Sequence, residues 1–150
     1  MRLTITKDEP LSADGRMLVK LSEVEMRAAF PPEEMLVYSP EQLWTPQTCF
    51  YIARLDGQAL GCVALLIEDA IGEIKRLFVH NDARGTGMGR KLMALLEADA
   101  LQTGVTLLRL ETGRKLEAAV GLYTSLGYTP CAAYGDYPDI PSNLFMEKNL

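Results

Sequence analysis

The segment VHNDARGTGMGRKL, residues 79–92, joins an alternating apolar stretch to a helical pattern. Glycines at 85, 87 and 89 let the backbone turn sharply, so that amide N–H groups at the start of a helix can approach an anion. The cations Arg84, Arg90 and Lys91 stand in the same segment. This combination predicts a phosphate-binding loop. An ordinary glycine-rich turn between a strand and a helix is the alternative.

The spacing of the glycines decides between kinds of phosphate ligand. A P-loop needs Lys and then Ser or Thr after its last glycine, whereas Gly89 is followed by Arg90 and Lys91. The dinucleotide fingerprint needs a further glycine three residues after Gly87, where Arg90 stands. The segment therefore disfavours ATP, GTP and a Rossmann-type dinucleotide.

Hydrophobic periodicity outward from this segment predicts regular structure along the whole chain. The predicted strands are residues 2–6, 49–55, 58–68, 73–79, 105–111, 128–134 and 143–148, and the predicted helices are 12–30, 40–44, 87–103 and 116–126. Asp56-Gly57 is the strongest hairpin signal. This order predicts a single α/β domain, residues 1–150. Its mixed sheet would have helices on both faces, antiparallel pairing at the front and a parallel crossover in the middle.

Composition limits the class of partner. The 150 residues are 48% hydrophobic and carry 15 Lys+Arg against 20 Asp+Glu, a formal net charge of −5. A soluble globular domain is expected, and the acidic balance argues against nucleic acid, which requires a basic face. The longest apolar run, residues 59–67, is about half of the roughly 20 residues that a membrane span requires, so no membrane partner is expected.

Cysteine usage and the first residues indicate a reducing compartment. Cys49, Cys62 and Cys131 lie far apart without CxxC spacing or histidine companions, so neither a disulfide framework nor a metal site is expected. The opening MRLTITKDEP lacks the apolar region of a secretory signal. These features predict a cytoplasmic protein.

Two motifs carry a family resemblance. Residues 84–89, RGTGMG, match the pattern R/Q-x-x-G-x-G/A, and residues 122–128, LYTSLGY, match LYxxxGF/Y in the next helix. In this order and separation the chain resembles the GCN5-related N-acetyltransferases (GNAT). The resemblance spans nearly the whole chain, although residues 8–48 match only coarsely. It implies a mostly antiparallel sheet with splayed parallel strands.

By this resemblance the co-substrates are acetyl-CoA, as acyl donor, and an amine. The amides from Gly85 to Gly89 would hold the pyrophosphate, and the backbone of Leu77 and Val79 would pair with the pantetheine arm. The full set of implied donor-binding residues is Leu77, Phe78, Val79, Arg84, Gly85, Thr86, Gly87, Met88, Gly89, Arg90 and Lys91.

Acetyl transfer needs a base, a proton donor and a stabilised oxyanion. Glu73 occupies the position of the general-base glutamate in some relatives, and the alternation of a strand would place it on one face with Lys75, Leu77 and Val79. We expect it to act through water. The alternative is a strand-end carboxylate paired with Lys75 or Arg76.

Tyr123 matches the family tyrosine that protonates the departing thiolate; packing against Val120 and Leu126 is its alternative role. A backbone N–H near Val79 would serve the oxyanion. His80, at the strand-to-loop junction, receives no role. The family asparagine that caps the next helix is replaced by Leu116, and Thr112 or Arg114 could supply its contact.

The acceptor side is expected in residues 29–38 and 134–143. These segments are rich in acidic and aromatic residues that suit a cationic amine, either a small molecule or a peptide, although solvated loop surface is the alternative. The acidic and aromatic residues of these segments are Glu33, Glu34, Tyr38, Tyr134, Asp136, Tyr137 and Asp139. A non-catalytic acetyl-CoA-binding module of the same fold is the alternative function. The resemblance also admits a homodimer.

Overall fold

The fold is given by a computed structural model that describes residues 2–150. The strands are β1 (Leu3–Asp8), β2 (Thr48–Leu55), β3 (Gln58–Glu68), β4 (Ile71–Val79), β5 (Leu107–Gly113), β6 (Thr129–Pro130) and β7 (Asn143–Asn149). The helices are α1 (Ala13–Ala29), α2 (Pro40–Leu43), α3 (Met88–Gln102) and α4 (Glu117–Ser125). Short 3-10 turns cover Pro32–Glu34 and Asn81–Ala83.

All seven strands form one sheet in the order β1-β2-β3-β4-β5-β7-β6. Strands β4 and β5 are the parallel pair, and every other neighbouring pair is antiparallel. The chain between β4 and β5 forms α3, as a parallel crossover requires. The predicted mixed, mostly antiparallel sheet is therefore confirmed.

Helices cover both faces of the sheet. On one face α3 buries Leu92, Met93 and Leu96 against the inward side chains of the central strands. On the other face Leu18 and Val19 of α1 pack against a second cluster of strand residues. Helices on both faces were predicted and are confirmed. Within residues 2–150 no helix combines the length and apolarity needed to cross a membrane.

Local signals account for several element boundaries. Asp56 and Gly57 both have positive φ, 50° and 84°, which a two-residue type I′ hairpin requires. They join β2 to β3 as predicted. Ser12 caps α1, because its Oγ accepts a hydrogen bond from the Gly15 N–H at 3.0 Å.

The predicted strand over 128–134 is wrong in extent, since pairing with β7 is confined to Thr129–Pro130. One bond continues beyond it, from the Cys131 N–H to the Phe145 carbonyl at 2.8 Å. Pro130 has no N–H to donate, which suits an edge strand but not a long ladder. Tyr134 then turns away, and its ring stacks on the guanidinium of Arg109 at 4.2 Å.

A bulge in β4 changes which side chains share a face. Arg76 has φ +57°, and the register with β3 shifts beside it. Leu77 and Val79 consequently pack with the α3-side cluster, whereas Lys75 lies on the α1 side with Glu73. The expectation that Glu73, Lys75, Leu77 and Val79 share a face is therefore wrong. Alternation along a strand holds only where the strand is regular.

We predict opposite stability changes for two glycine substitutions that meet no neighbouring atom. Gly57→Ala should lower the free energy of unfolding by about 1 kcal/mol, because alanine is strained at φ +84°. Gly121→Ala, inside α4, should raise it by about 0.5–1 kcal/mol, because alanine loses less chain entropy in a helix. Urea unfolding curves measure both changes. Two changes of the same sign would contradict the assigned backbone conformations.

Candidate functional site

A cleft opens where the two parallel strands diverge. β4 pairs with β5 only over Ile71–Ile74, opposite Leu107–Leu110, but stays paired with β3 as far as Val79. The cleft has a volume of about 600 Å³ and lies between β4, β5, the end of α1 and the start of α4. The splayed parallel strands that the resemblance implies are confirmed.

The far half of β4 presents backbone groups to this cleft. The His80 N–H donates to the Leu60 carbonyl of β3 at 2.7 Å. Because successive N–H groups of a strand point to opposite edges, those of Leu77 and Val79 point away from β3, toward the side that β5 has left. Both residues line the cleft. The cleft edge of β4 can therefore hydrogen-bond an extended ligand or a developing oxyanion.

The glycine-rich loop forms the second set of donors. Gly85 and Gly87 have φ of +79° and +82°, and α3 begins directly afterwards at Met88. In the part of the chain that the structure describes, the N–H groups of Gly85, Gly87, Met88 and Gly89 have no acceptor. They lie at the positive end of the α3 dipole, where backbone amides and dipole together favour an anion.

Two of the three cations of the loop, Arg84 and Arg90, are engaged in contacts within the chain. Arg84 pairs with Glu25 of α1 at 2.7 Å, and Arg90 donates to Ser125 Oγ of α4 at 2.8 Å. Lys91 is exposed outside the cleft lining, and the Thr86 hydroxyl donates to the Ala83 carbonyl. Among the implied donor-binding residues, Thr86 and Lys91 are those that do not line the cleft. The backbone amides are thus the loop's main hydrogen-bond donors for an anion.

Tyr123 lies on the cleft wall. Its side chain is 6% exposed, packs edge-on against Tyr128 at 5.8 Å and belongs to the α3-side core. Among residues 2–150 no hydrogen-bond partner satisfies its hydroxyl, although Tyr123 borders the cleft. Burial, and then the negative charge of Glu111, raise the pKa of Tyr123. The phenol is therefore protonated at neutral pH and available as a proton donor. The Tyr123 ring also packs in the core, which was the alternative role for this residue.

Glu73 lies beside the cleft rather than on its lining, held by neighbouring side chains. The Tyr137 hydroxyl donates to its carboxylate at 2.6 Å, and the Tyr134 hydroxyl does so at 3.4 Å. Lys75 Nζ lies 3.6 Å from the same oxygen. The ion pair with Lys75 was the alternative role for Glu73. The role of Glu73 as the general base stays a prediction.

Glu111, which the sequence analysis missed, lines the cleft directly. It lies on β5 past the point where β4 diverges. Burial, and then the negative charge of Glu73, raise the pKa of Glu111 to about 7, against the opposing positive charges of Lys75 and Arg76. A carboxyl that titrates near neutral pH in a cleft is suited to proton transfer. The only signal in the sequence was a carboxylate at the end of a buried strand.

The acceptor wall differs from the expected acidic and aromatic rim. Tyr38 and Tyr137 line the cleft, but Lys75 Nζ already lies 3.6 Å and 5.1 Å from their ring centroids. Those rings therefore face a cation of the chain itself. Glu34 reaches the cleft and accepts a hydrogen bond from Ser142. The remaining acidic rim residues, Glu33, Asp136 and Asp139, are exposed outside the lining.

Two positions singled out in the sequence lie at the edge of the site or beyond it. His80 Nδ1 accepts a hydrogen bond from the Asp82 N–H at 3.0 Å, and His80 does not line the main cleft. Leu116 borders the cleft and precedes α4 without a side-chain cap. Of its suggested substitutes, Thr112 lines the cleft, whereas Arg114 donates to the Pro141 carbonyl outside it.

Comparison with known proteins gives concordant matches. A sequence profile of the acetyltransferase (GNAT) family matches residues 16–128. The IAA acetyltransferase of Azospirillum brasilense is 33% identical over 150 residues, covering 99% of this chain and 98% of its own. A solved structure from Klebsiella pneumoniae, assigned as an acyl-CoA N-acyltransferase, has TM-score 0.83 and 33% identity and covers 99% and 97% of the two chains. The PaiA N-acetyltransferase of Thermoplasma acidophilum, solved with coenzyme A, shares the fold at TM-score 0.74 and 21% identity, with full coverage of both chains, 100% and 100%.

We predict that Glu111→Gln stabilises the protein at alkaline pH. Because folding raises the pKa of this carboxyl to about 7, the unfolded chain loses the proton first, and the free energy of unfolding falls as pH rises toward that value. Glutamine cannot ionise, so the variant does not undergo this fall in the free energy of unfolding. We expect a gain of about 1–3 kcal/mol at pH 8 that disappears below pH 5.

Urea unfolding at both pH values measures the effect, with Glu68→Gln as the control because Glu68 is an exposed carboxylate at the end of β3. We expect the control to change stability by less than about 0.5 kcal/mol at either pH. Destabilisation by Glu111→Gln at pH 8 would show that the carboxylate is not held in a disfavoured ionised state.

Proposed function

Because this chain belongs to the acetyltransferase (GNAT) family, we propose that it transfers the acetyl group of acetyl-CoA to the primary amine of a small molecule or peptide by direct attack in a ternary complex. One arrangement carries the proposal. At the divergence of β4 from β5, unpaired backbone N–H groups share a cleft with Glu111 and Tyr123. Those donors suit acetyl-CoA, and the two side chains suit the proton transfers.

The donor half of the cleft fits acetyl-CoA by its hydrogen-bonding groups. The loop amides from Gly85 to Gly89, at the start of α3, would bind the pyrophosphate. The free edge of β4 at Leu77 and Val79 would bind the amide groups of the pantetheine arm as a neighbouring strand would. When bound, acetyl-CoA supplies a thioester whose carbonyl carbon accepts the amine. The Val79 N–H would then donate to the oxygen that gains negative charge.

The proton transfers are assigned to Glu111 and Tyr123. Glu111 takes a proton from the acceptor ammonium, because only the neutral amine has a lone pair for attack. The amine nitrogen adds to the thioester carbonyl carbon, and the C–S bond breaks as the carbonyl re-forms, with Tyr123 protonating the departing thiolate. The second proton lost by the nitrogen restores the phenol, and Glu111 releases its proton to water. Acetyl-CoA and the neutral amine thus give the N-acetyl product and CoA.

We give the base role to Glu111 in place of Glu73 because of their different surroundings. Glu111 lines the cleft, whereas the carboxylate of Glu73 is occupied by Tyr137 and Lys75. Glu73 contributes through its charge, which helps to raise the pKa of Glu111. Glu73 is therefore a positioning residue in this proposal.

The proposal predicts selective stabilisation by CoA ligands. Acetyl-CoA, CoA, ATP and NADH are compared at equal concentration in a thermal unfolding experiment. A ligand at 100 times its Kd should stabilise the fold by about 2.7 kcal/mol, which is a shift of several degrees. We expect acetyl-CoA and CoA to raise Tm and NADH to leave it unchanged. Stabilisation by ATP but by neither CoA species would refute the donor assignment.

A second prediction separates Tyr123 from its neighbour. Tyr123→Phe should lower kcat by about 100-fold or more while leaving acetyl-CoA binding intact, because the ring remains and only the proton donor is lost. CoA release with an accepted amine is the measurement.

Tyr128→Phe is the matched control, since the two rings pack together but the Tyr128 hydroxyl bonds Glu97 at 2.7 Å, outside the cleft. It should lose stability and keep near-parental turnover. Equal turnover in the two variants would remove the acid role from Tyr123.

A further inference from the structure

Two consecutive cations of β4 contact the same residue on the acceptor wall. Lys75 Nζ lies 3.6 Å from the ring centroid of Tyr38, and Arg76 Nη2 donates to the Tyr38 carbonyl at 3.0 Å. Adjacent residues of a regular strand point to opposite faces. The bulge at Arg76, with φ +57°, allows both to lie on the α1 side. Strained backbone of this kind clusters at functional sites.

The two cations differ in how their charge is balanced. Lys75 has Glu73 as its ion-pair partner at 3.6 Å. Arg76 contacts only neutral groups, namely Ser22 Oγ at 3.3 Å, Met26 Sδ at 3.1 Å and the Tyr38 carbonyl. Within residues 2–150 no carboxylate forms an ion pair with its guanidinium. The carboxylates of Glu23 and Glu111 act on this guanidinium only through space. A largely buried cation without a hydrogen-bonded counter-charge is costly unless a ligand supplies one.

Arg76 also retains donors for such a ligand. A guanidinium has five N–H groups, and the three contacts leave Nε and one N–H of Nη2 without an acceptor in the described chain. Arg76 lines the cleft, and so does Glu111. The two residues lie at the same point of divergence, because Glu111 follows Leu110, the β5 partner of Ile74, and Arg76 lies two residues past Ile74 on β4. An acceptor whose nitrogen lies at Glu111 therefore has its neighbouring atoms near Arg76.

We propose that the acceptor amine carries a carboxylate close to its nitrogen, as an amino acid does, and that Arg76 binds this carboxylate. This inference rests on the proposed function. The wall suits a zwitterion, because Glu73 already pairs with Lys75 and the remaining charges, on Arg76 and Glu111, are opposite in sign, as are the carboxylate and ammonium of an amino acid. Arg76 is thus a specificity-determining residue. The carboxylate would also place the amine beside Glu111.

The first test uses acceptors that differ in the carboxylate alone. L-phenylalanine is compared with 2-phenylethylamine, and L-leucine with 3-methylbutylamine, by CoA release. We expect kcat/KM to be higher for each amino acid than for its amine, by about 10-fold to 100-fold for a charge-assisted bidentate contact. Equal values within both pairs would overturn the inference, and so would a preference for the amines. CoA release with none of the amino acids, while acetyl-CoA still stabilises the fold, would also overturn it.

Variants separate the contact from the effect of the carboxylate on the amine's own pKa. Arg76→Gln should reduce the amino-acid preference by about 10-fold or more, and Arg76→Lys should retain part of it. Arg27→Gln, an exposed arginine of α1 paired with Glu23, is the control and should keep the parental ratio. An unchanged ratio in Arg76→Gln would overturn the inference. Stabilisation by acetyl-CoA confirms that each variant is folded.

An inhibitor comparison on the unaltered chain needs no variant. 3-Phenylpropanoate has a carboxylate but no amine, and 3-phenylpropanamide lacks the charge. We expect the carboxylate to compete with the acceptor amine at least about 10-fold more tightly than the amide. Equal inhibition would overturn the inference. Loss of stabilisation by both acetyl-CoA and CoA would instead refute the proposed function itself, so the two failures are distinguishable.

Discussion

The parallel pairing of β4 with β5 stops after Ile74, while β4 continues along β3 to Val79. Every part of the site depends on this divergence. It leaves the N–H groups of Leu77 and Val79 without partners in the sheet, and it opens the cleft that Glu111 and Tyr123 border. A parallel ladder continued to the end of β4 would satisfy the same groups and close the space. The bulge at Arg76 lies within the diverging half, as bulges beside active sites often do.

Charge is distributed between the two halves of this cleft in different ways. On the donor side Arg84 and Arg90 contact Glu25 and Ser125, so backbone amides and the α3 dipole provide most of the attraction for an anion. On the acceptor side, ionised side chains are crowded at the divergence. Burial, and then the negative charge of Glu73, brings the pKa of Glu111 to about 7 in a chain whose formal net charge is −5. The raised pKa that suits Glu111 to proton transfer follows from burying a carboxyl beside a like charge.

Local features of this fold could be predicted from the sequence, and non-local ones could not. Asp56-Gly57 and the glycines of residues 85–89 determine their own backbone conformation, so the hairpin and the loop were predictable. The roles of Glu111 and Arg76 depend on where β5 leaves β4 and on a bulge that reverses the alternation, and neither is encoded in short-range periodicity. The path of the segment after β6 also depends on a contact between residues distant in sequence. The Tyr137 hydroxyl in this segment donates to the Glu73 carboxylate of β4.

The central claim is that the amides freed by this divergence and by the loop bind CoA. An amide NMR titration with CoA tests it residue by residue. The account predicts the largest shift changes at Gly85, Gly87 and Gly89, together with Leu77 and Val79 on the cleft edge of β4. The amide of Gly57, in the hairpin, should not move. Unperturbed loop and β4 amides, with binding seen elsewhere on the sheet, would contradict the account.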